Sequence, residues 1–354
     1  IAAWREAGVN VEVERKHGKS VVGSPRSVNL KPIVLRRSDS EDKLTIMGSL
    51  FKPLLLVGAA WIGTNLLHLL WVGLRRRAWE NRTRREPNGL LPDAAAYRIG
   101  NGPVALLFIH GFADSPCIWR RMTRRLAEGE RFTCRAMRLP GSAEPAAHAR
   151  CQSLALWRTQ VADELVRLRE THESVWIVGH SLGGALALDA ALRLPDLVDG
   201  AAVFAPLIDV ARARCPLLPP RVWFALARVA LCLSPTFESP FAVQGVAEDD
   251  PSFAFARDRF IPFCVYRSLF RLIREIRPRA ARLACPLFAL TASHDAVVDT
   301  AAAQRWLAAC PGPKAVRDLP EASHVIPLCA EWEALTDEMA AFILAHPRGA
   351  FQRR

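Results

Sequence analysis

Two hydrophobic patterns alternate along most of this chain. Short unbroken apolar runs, the mark of buried strands, are interleaved with stretches whose apolar residues recur every three or four positions, the mark of amphipathic helices. "YRIGNGPVALLFIHG", residues 97–111, reads as a short strand, a Gly-Asn-Gly turn and a buried strand. "FTCRAMRLPG" is a further strand that ends at Pro140–Gly141. Leu154, Trp157, Val161, Leu165 and Leu168 predict a helix over 153–170. A strand at 174–178, a helix at 183–193 and a strand at 199–205 follow. The alternation stops after Ala205–Pro206 and resumes with a strand at 286–292, a helix near 301–309, a strand at 314–319 and a last helix near 330–345. Strands alternating with helices predict the α/β class, with a mainly parallel sheet covered by helices on both faces. Residues 207–282 are too long for a connecting loop and predict an insertion. No internal repeat is present.

A different pattern precedes this region. "PLLLVGAAWIGTNLLHLLWVGL", Pro53–Leu74, contains no Asp, Glu, Lys or Arg over 22 residues. That length spans a bilayer, and the stretch reads as lacking the polar face that a surface helix of a soluble domain would have. It predicts an N-terminal transmembrane anchor over 53–74. A cleaved signal peptide fits less well, because the run is long and no small-x-small site precedes the arginines. "RRR" follows at Arg75–Arg77, then Arg82, Arg84 and Arg85, so residues 75–96 form a basic linker. Trp71 and Trp79 are placed for a membrane interface. Arginines behind the span favour a cytoplasmic C-terminal side. The expected location is therefore the inner or plasma membrane, single-pass, with the globular region in the cytoplasm. Four Lys/Arg in residues 33–52 blunt this bias, and a start at Met47 would sharpen it. Residues 1–46 carry little sustained periodicity and read as a disordered leader or a mis-assigned upstream start.

Charge and cysteine usage narrow the partners. The net charge is +12, but residues 1–86 contribute +8 of it, so the basic excess flanks the apolar segment and does not coat the globular part. With no zinc-finger spacing and no RNP-like stretch, a nucleic-acid partner is not expected. The nine cysteines are odd in number, form no C-x-x-C and begin only at Cys117. This is neither a metal nor a disulfide framework, and dispersed thiols suit a reducing compartment. The oligomeric state is left open by the sequence.

The chemistry concentrates in "VWIVGHSLGGALALDAA", residues 175–191, where a strand of β-formers runs into a stretch of strong helix formers. G-x-S-x-G at such a junction sets a serine on a sharp turn with its hydroxyl exposed. Gly179 and Gly183 leave room where a Cβ would crowd the turn. An activated serine needs a base, an orienting acid and an oxyanion hole. Asp295, in "TASHDAVVD", lies just beyond the strand 286–292, and His324, in "EASHVIPL", just beyond 314–319. "HGF", His110–Phe112, follows an earlier strand. Groups at the carboxyl ends of strands are where an open α/β sheet places its site.

With "HGFADSP", "RLPG", "GHSLGG", "HDAVVD" and "SHVIPL" in this order, the chain resembles the α/β-hydrolase superfamily, and more narrowly the bacterial carboxylesterases and monoacylglycerol lipases. The resemblance covers about residues 97–346 and implies an α/β-hydrolase domain there, with the insertion at about 207–282 as a cap. It implies Ser181 as nucleophile, His324 as base, Asp295 as orienting acid, and the backbone N–H groups of Phe112 and Leu182 as oxyanion donors. It also implies hydrolysis of small-molecule carboxylic esters, lipid-like or acylglycerol, through an acyl-enzyme with no metal or organic cofactor. Thioester hydrolysis or acyl transfer would use the same triad, and a non-catalytic binding protein would keep the fold alone. Two positions depart from the family pattern: Ser142 where His is common after the Pro-Gly pair, and Asp299 where Pro is usual. Asp299 is a second candidate acid or, in its other reading, a helix cap. His110 and His180 read as structural histidines beside the turn. Aromatic residues throughout the insertion, among them Trp223, Phe224, Phe237, Phe263, Tyr266 and Phe270, supply its own core and in part an acyl pocket.

Overall fold

The structure, a computed structural model, describes residues 40–145, 153–212, 215, 217–239 and 244–348, and side chains from residue 52. All but the last seven residues of the expected leader 1–46 lie outside the described residues. The long helix α1, Ser40–Arg82, contains the apolar segment. Its part from Lys52 to Arg82 is long and apolar enough to cross a membrane. Residues Val57–Arg354 form one compact unit, to which the following description refers.

Strands β1 (Tyr97–Ile99), β2 (Val104–Ile109), β3 (Phe132–Met137), β4 (Ser174–His180) and β5 (Gly200–Phe204) come before the insertion. Within it lie β6 (Thr236–Glu238), β7 (Gln244–Val246), β8 (Ala254–Ala256) and β9 (Phe260–Pro262); β10 (Leu287–Ala292) and β11 (Lys314–Leu319) come after. The helices are α2 (Arg120–Glu128), α3 (Leu154–Arg169), α4 (Leu182–Arg193), α5 (Pro220–Ala230), α6 (Phe263–Ile276), α7 (Thr300–Ala308) and α8 (Trp332–Ala345). The central sheet runs in the order β1-β3-β2-β4-β5-β10-β11. All neighbours are parallel except β1, which pairs antiparallel with β3.

That pairing separates β1 from β2, its neighbour in sequence. The Gly100–Asn101–Gly102 turn lies over the start of β3, with the Gly102 N–H donating to the Phe132 carbonyl at 3.3 Å. A Cβ on Gly102 would fall 2.1 Å from the Arg131 carbonyl carbon, so only glycine permits this approach.

The apolar strands bury both faces, as parallel sheets require. Along β4, Val175 and Ile177 face one core, with Trp157 and Leu165 of α3, Leu186 of α4 and Leu272 of α6. Trp176 and Val178 face the other, with Trp119, Met122 of α2 and Leu335 and Met339 of α8. The period-two alternation of a strand thus feeds two hydrophobic layers. The insertion after β5 is built from α5, the two small antiparallel pairs β6–β9 and β7–β8, and α6.

Candidate active site

The junction of β4 and α4 is strained at one residue. Ser181 has φ 53° and ψ −115°, a conformation that costs a non-glycine residue of the order of 1–3 kcal/mol and persists only when the surroundings enforce it. They do so here through the backbone. The Ser181 N–H donates to the Phe204 carbonyl at 2.9 Å, and the Ser181 carbonyl accepts from Ala185 and Leu207 at 3.0 and 3.1 Å. Close packing adds to this. A Cβ on Gly179 would lie 2.2 Å from the Gly183 carbonyl oxygen, and one on Gly183 would lie 2.2 Å from that of Ile109. Ala113 and Ala205, in the neighbouring strand-end loops, also have positive φ, at 60° and 44°.

The turn brings three distant side chains into one line. Ser181 Oγ lies 3.0 Å from His324 Nε2, and His324 Nδ1 lies 2.7 Å from Asp295 Oδ2. The other Asp295 oxygen, Oδ1, accepts from the Val297 and Val298 N–H groups at 2.7 and 2.8 Å, which fixes the carboxylate. Since a carboxylate only accepts, His324 Nδ1 carries the proton toward Asp295, and Nε2 presents a lone pair to the serine hydroxyl. Asp299 is elsewhere engaged: its Oδ1 accepts from the Ala302 N–H at 2.8 Å and caps α7.

Two further histidines support the loops. His110 is fully buried; its Nε2 accepts from the Leu139 N–H at 3.1 Å, so its Nδ1–H donates to the Gly111 carbonyl at 2.9 Å. Burial pushes its pKa down to about 4, with the nearby Arg138 charge acting in the same direction. His180 donates from Nε2 to the His324 carbonyl at 2.9 Å and is held well below the ordinary histidine range, chiefly by burial. These histidines tie the β2 and β4 ends to the loops that carry Leu139 and His324.

A pH dependence of stability follows from His110. Its folded pKa is depressed below the unfolded value of about 6.5, so between about 6.5 and 4 the unfolded chain binds more protons. Stability contributed by neutral His110 is therefore full above about 6.5 and lost progressively as the pH falls toward 4, by a few kcal/mol. Thermal unfolding measured across that window is expected to show this slope, and His110→Gln, which cannot titrate, is expected to make it shallower, with buried His180, also depressed, supplying a part of the same sign that remains.

Phe112 follows Gly111, whose Cβ position would lie 3.4 Å from the Ser181 Cβ, and Leu182 is the first residue of α4. The two backbone positions therefore flank the serine. It opens on a cavity of about 880 Å³ whose lining includes the polar Ser181, His324, Asp114 and Arg257 and the aromatic Trp223, Phe224, Phe237, Phe263 and Phe270. Asp114 and Arg257 are paired at 2.8 Å, joining the strand-end loop to the insertion. Burial raises the Asp114 carboxyl, and Arg257 opposes the rise. The sequence reading missed this pair. Asp114 was visible in "HGFADSP", but Arg257 lies in a stretch with no periodicity that would announce its partner.

The apolar helix also departs from the sequence reading. It does have a polar stripe: Asn65 is fully buried, and its Nδ2 donates to the Ala230 carbonyl at 2.8 Å. The i, i+3 spacing of Asn65 and His68 within an otherwise apolar run was the available signal.

A family model described as "Alpha/beta hydrolase family" matches residues 106–338. An uncharacterised protein of Mycobacterium tuberculosis is 40% identical over 105 residues, covering 29% of this chain and 29% of that protein. The chain thus matches less than a third of that relative's length. A thermostable monoacylglycerol lipase of a Bacillus species is 22% identical over 211 residues, 59% of this chain and 77% of the lipase. Among solved structures, one of metagenome-derived lipolytic enzymes superposes with TM-score 0.63 at 19% identity, covering 73% of this chain and 100% of that one. A monoacylglycerol lipase of Paleococcus ferrophilus superposes with TM-score 0.59 at 18% identity, covering 71% of this chain and 98% of that one. These likenesses share the fold described above.

Proposed function

Because this chain belongs to the alpha/beta hydrolase family, we propose that it is a membrane-tethered serine hydrolase that cleaves carboxylic esters of lipid-like alcohols or acids through an acyl-enzyme. The observation that carries this reading is the line from Ser181 through His324 to Asp295, at 3.0 and 2.7 Å, ending on a strained serine. Ser181 Oγ attacks the ester carbonyl while His324 Nε2 takes its proton. Asp295 holds the imidazole in the tautomer that can do so and stabilises the imidazolium that forms. The Phe112 and Leu182 N–H groups face the developing oxyanion; the first N–H groups of a helix have no intrahelical acceptor, and the helix dipole favours negative charge there. His324 then protonates the departing alcohol, and water repeats the sequence in reverse to free the acid.

The aromatic lining of the cavity supports an acyl chain as the group bound. With p-nitrophenyl esters of increasing chain length, kcat/KM is expected to rise from acetate to decanoate, because each buried CH₂ contributes about 0.8 kcal/mol. A flat or falling series would contradict the lipid-like pocket.

The tether reading rests on the apolar run of the Lys52–Arg82 stretch and the arginines from Arg75 onward, which favour the cytoplasmic side of the inner or plasma membrane for the catalytic domain, with the insertion that bonds to residues Trp61–Arg75 set into that membrane face. The full chain is expected to stay with the membrane pellet after alkaline carbonate extraction. Its release into the wash would contradict the tether.

A further inference from the structure

An anchor that only held an enzyme at a bilayer would gain nothing from polar side chains midway along its length, since each is costly against lipid. From Val57 onward, α1 nevertheless carries Asn65 and His68 within its apolar run. Trp61, Asn65, His68, Val72, Arg75 and Trp79 recur at alternating spacings of four and three, which places them on one stripe of the helix. The stripe meets the insertion. Trp61 Nε1 donates to the Val229 carbonyl at 3.2 Å. Asn65 Nδ2 donates to the Ala230 carbonyl at 2.8 Å, and its Oδ1 accepts from the Leu233 N–H at 3.1 Å. His68 Nδ1 lies 2.5 Å from Ser234 Oγ, and its ring is 5.9 Å from that of Phe237. The Arg75 guanidinium donates twice to Glu238, each time at 2.8 Å. On the opposite side Ile62, Leu66, Leu67, Leu70 and Leu74 are 50–69% exposed, the share left for lipid.

These contacts fall on the C-terminal end of α5 and on the segment that follows it. α5 buries none of its residues, and a helix with so few buried apolar contacts belongs to the low-stability end of a structure. Its ring contacts run from Phe224, at 4.5 Å to Phe263 and 5.0 Å to Phe270. The bonds from α1 supply what α5 lacks: Asn65 satisfies backbone groups at its C-terminal end, where four carbonyls have no intrahelical donor. The same two elements, α5 and β6, present Trp223, Phe224, Ala227 and Phe237 to the cavity, while among the described residues none that lines it comes from α1. From Val57 onward the helix therefore braces the elements of the pocket wall without itself lining the cavity among the described residues.

We propose that α1 is a strut of the acyl pocket as well as an anchor, with Asn65, His68 and Arg75 as positioning residues that hold α5 and β6 in the arrangement that binds long acyl chains. This rests on the esterase reading above. Where the wall is held in place only part of the time, apparent affinity falls by the fraction of molecules in the competent arrangement. The chemistry at Ser181, which the strut does not reach, is unaffected.

The test uses the full chain in detergent micelles with p-nitrophenyl decanoate, p-nitrophenyl acetate and a fluorophosphonate probe. Asn65→Leu keeps the volume and the apolar character of the helix but removes its bonds to Ala230 and Leu233. It is expected to raise KM for decanoate about tenfold with kcat within about twofold, as a shift of population rather than of chemistry would. Arg75→Gln, which removes the charged pair with Glu238, is expected to move KM in the same direction, and Arg75→Lys to restore part of it. Probe labelling is expected to proceed at the unmodified rate in all three. Unchanged decanoate KM in both Asn65→Leu and Arg75→Gln would overturn the strut, as would an equal loss on acetate and decanoate. If Asn65→Leu labels poorly because it folds poorly, the Arg75 pair of variants decides the matter alone. Absence of labelling in the unsubstituted chain would instead overturn the esterase reading on which the proposal rests.

Discussion

Replacement of Ser181 by alanine is expected to abolish ester turnover, with a fall in kcat of about 10⁶, the size seen when the nucleophile of a comparable triad is removed. The expectation is this large because in the proposed mechanism every covalent step passes through Ser181 Oγ, and among the described residues that line the cavity no other serine or cysteine lies within hydrogen-bond distance of His324 Nε2. His324 Nε2 has Ser181 Oγ at 3.0 Å. Cys117, buried beside the neighbouring loop, has its thiol pushed up to about 11 by burial and is an inert group at neutral pH. The substitution removes one oxygen that lines the cavity and leaves the backbone bonds of the turn to Phe204, Ala185 and Leu207 in place. Alanine accepts the positive φ about as poorly as serine does. The variant is therefore expected to fold, with thermal unfolding close to that of the unsubstituted chain, while releasing no p-nitrophenol above background.

The second large effect separates two aspartates four residues apart. Asp295→Asn is expected to lower kcat by about 10⁴, the loss measured for the corresponding change in the serine-protease template. Asparagine keeps the shape, but its amide cannot favour the Nδ1–H tautomer or stabilise an imidazolium 2.7 Å away. Asp299→Asn is expected to leave kcat almost unchanged. Its carboxylate caps α7 through the Ala302 N–H, and asparagine caps a helix about as well as aspartate. Steady-state turnover of the two variants on one ester decides the assignment. The reverse ranking would move the orienting acid to Asp299.

Much of the fold was legible because its signals are local. A strand buried on both faces is apolar at nearly every position, and Val175–Val178 or Leu287–Leu290 announce themselves as unbroken runs. α3 is legible because Leu154, Trp157, Val161, Leu165 and Leu168 repeat at helical spacing and all five face the core. The sheet's order was not legible. That β1 joins β3 and passes over its neighbour β2 is decided by how closely Gly102 approaches Arg131, a contact across 29 residues. The four strands of the insertion were invisible for another reason: each has three residues, fewer than a period-two pattern needs to show itself.

The candidate site divides in the same way. Ser181, Asp295 and His324 could be picked out because each stands at a strand end in a stretch whose turn chemistry is readable, and the folded chain brings the three within hydrogen-bond reach. Arg257 could not, because its role depends on a partner 143 residues away. The stripe on α1 was overlooked because a run without Asp, Glu, Lys or Arg was read as uniformly apolar. Asn65 and His68 fall outside those four residue types, yet they are the residues that make one side of that helix different from the other.

The central claim, that Ser181 is a nucleophile activated by His324, is tested most directly by finding where a fluorophosphonate becomes attached. The full chain in detergent is treated with the probe, digested and mapped by mass spectrometry. The account predicts a single stoichiometric adduct on the Ser181 hydroxyl, lost in Ser181→Ala and strongly slowed in His324→Ala. A chain that remains unlabelled, or one labelled equally well with Ser181 replaced, would contradict it.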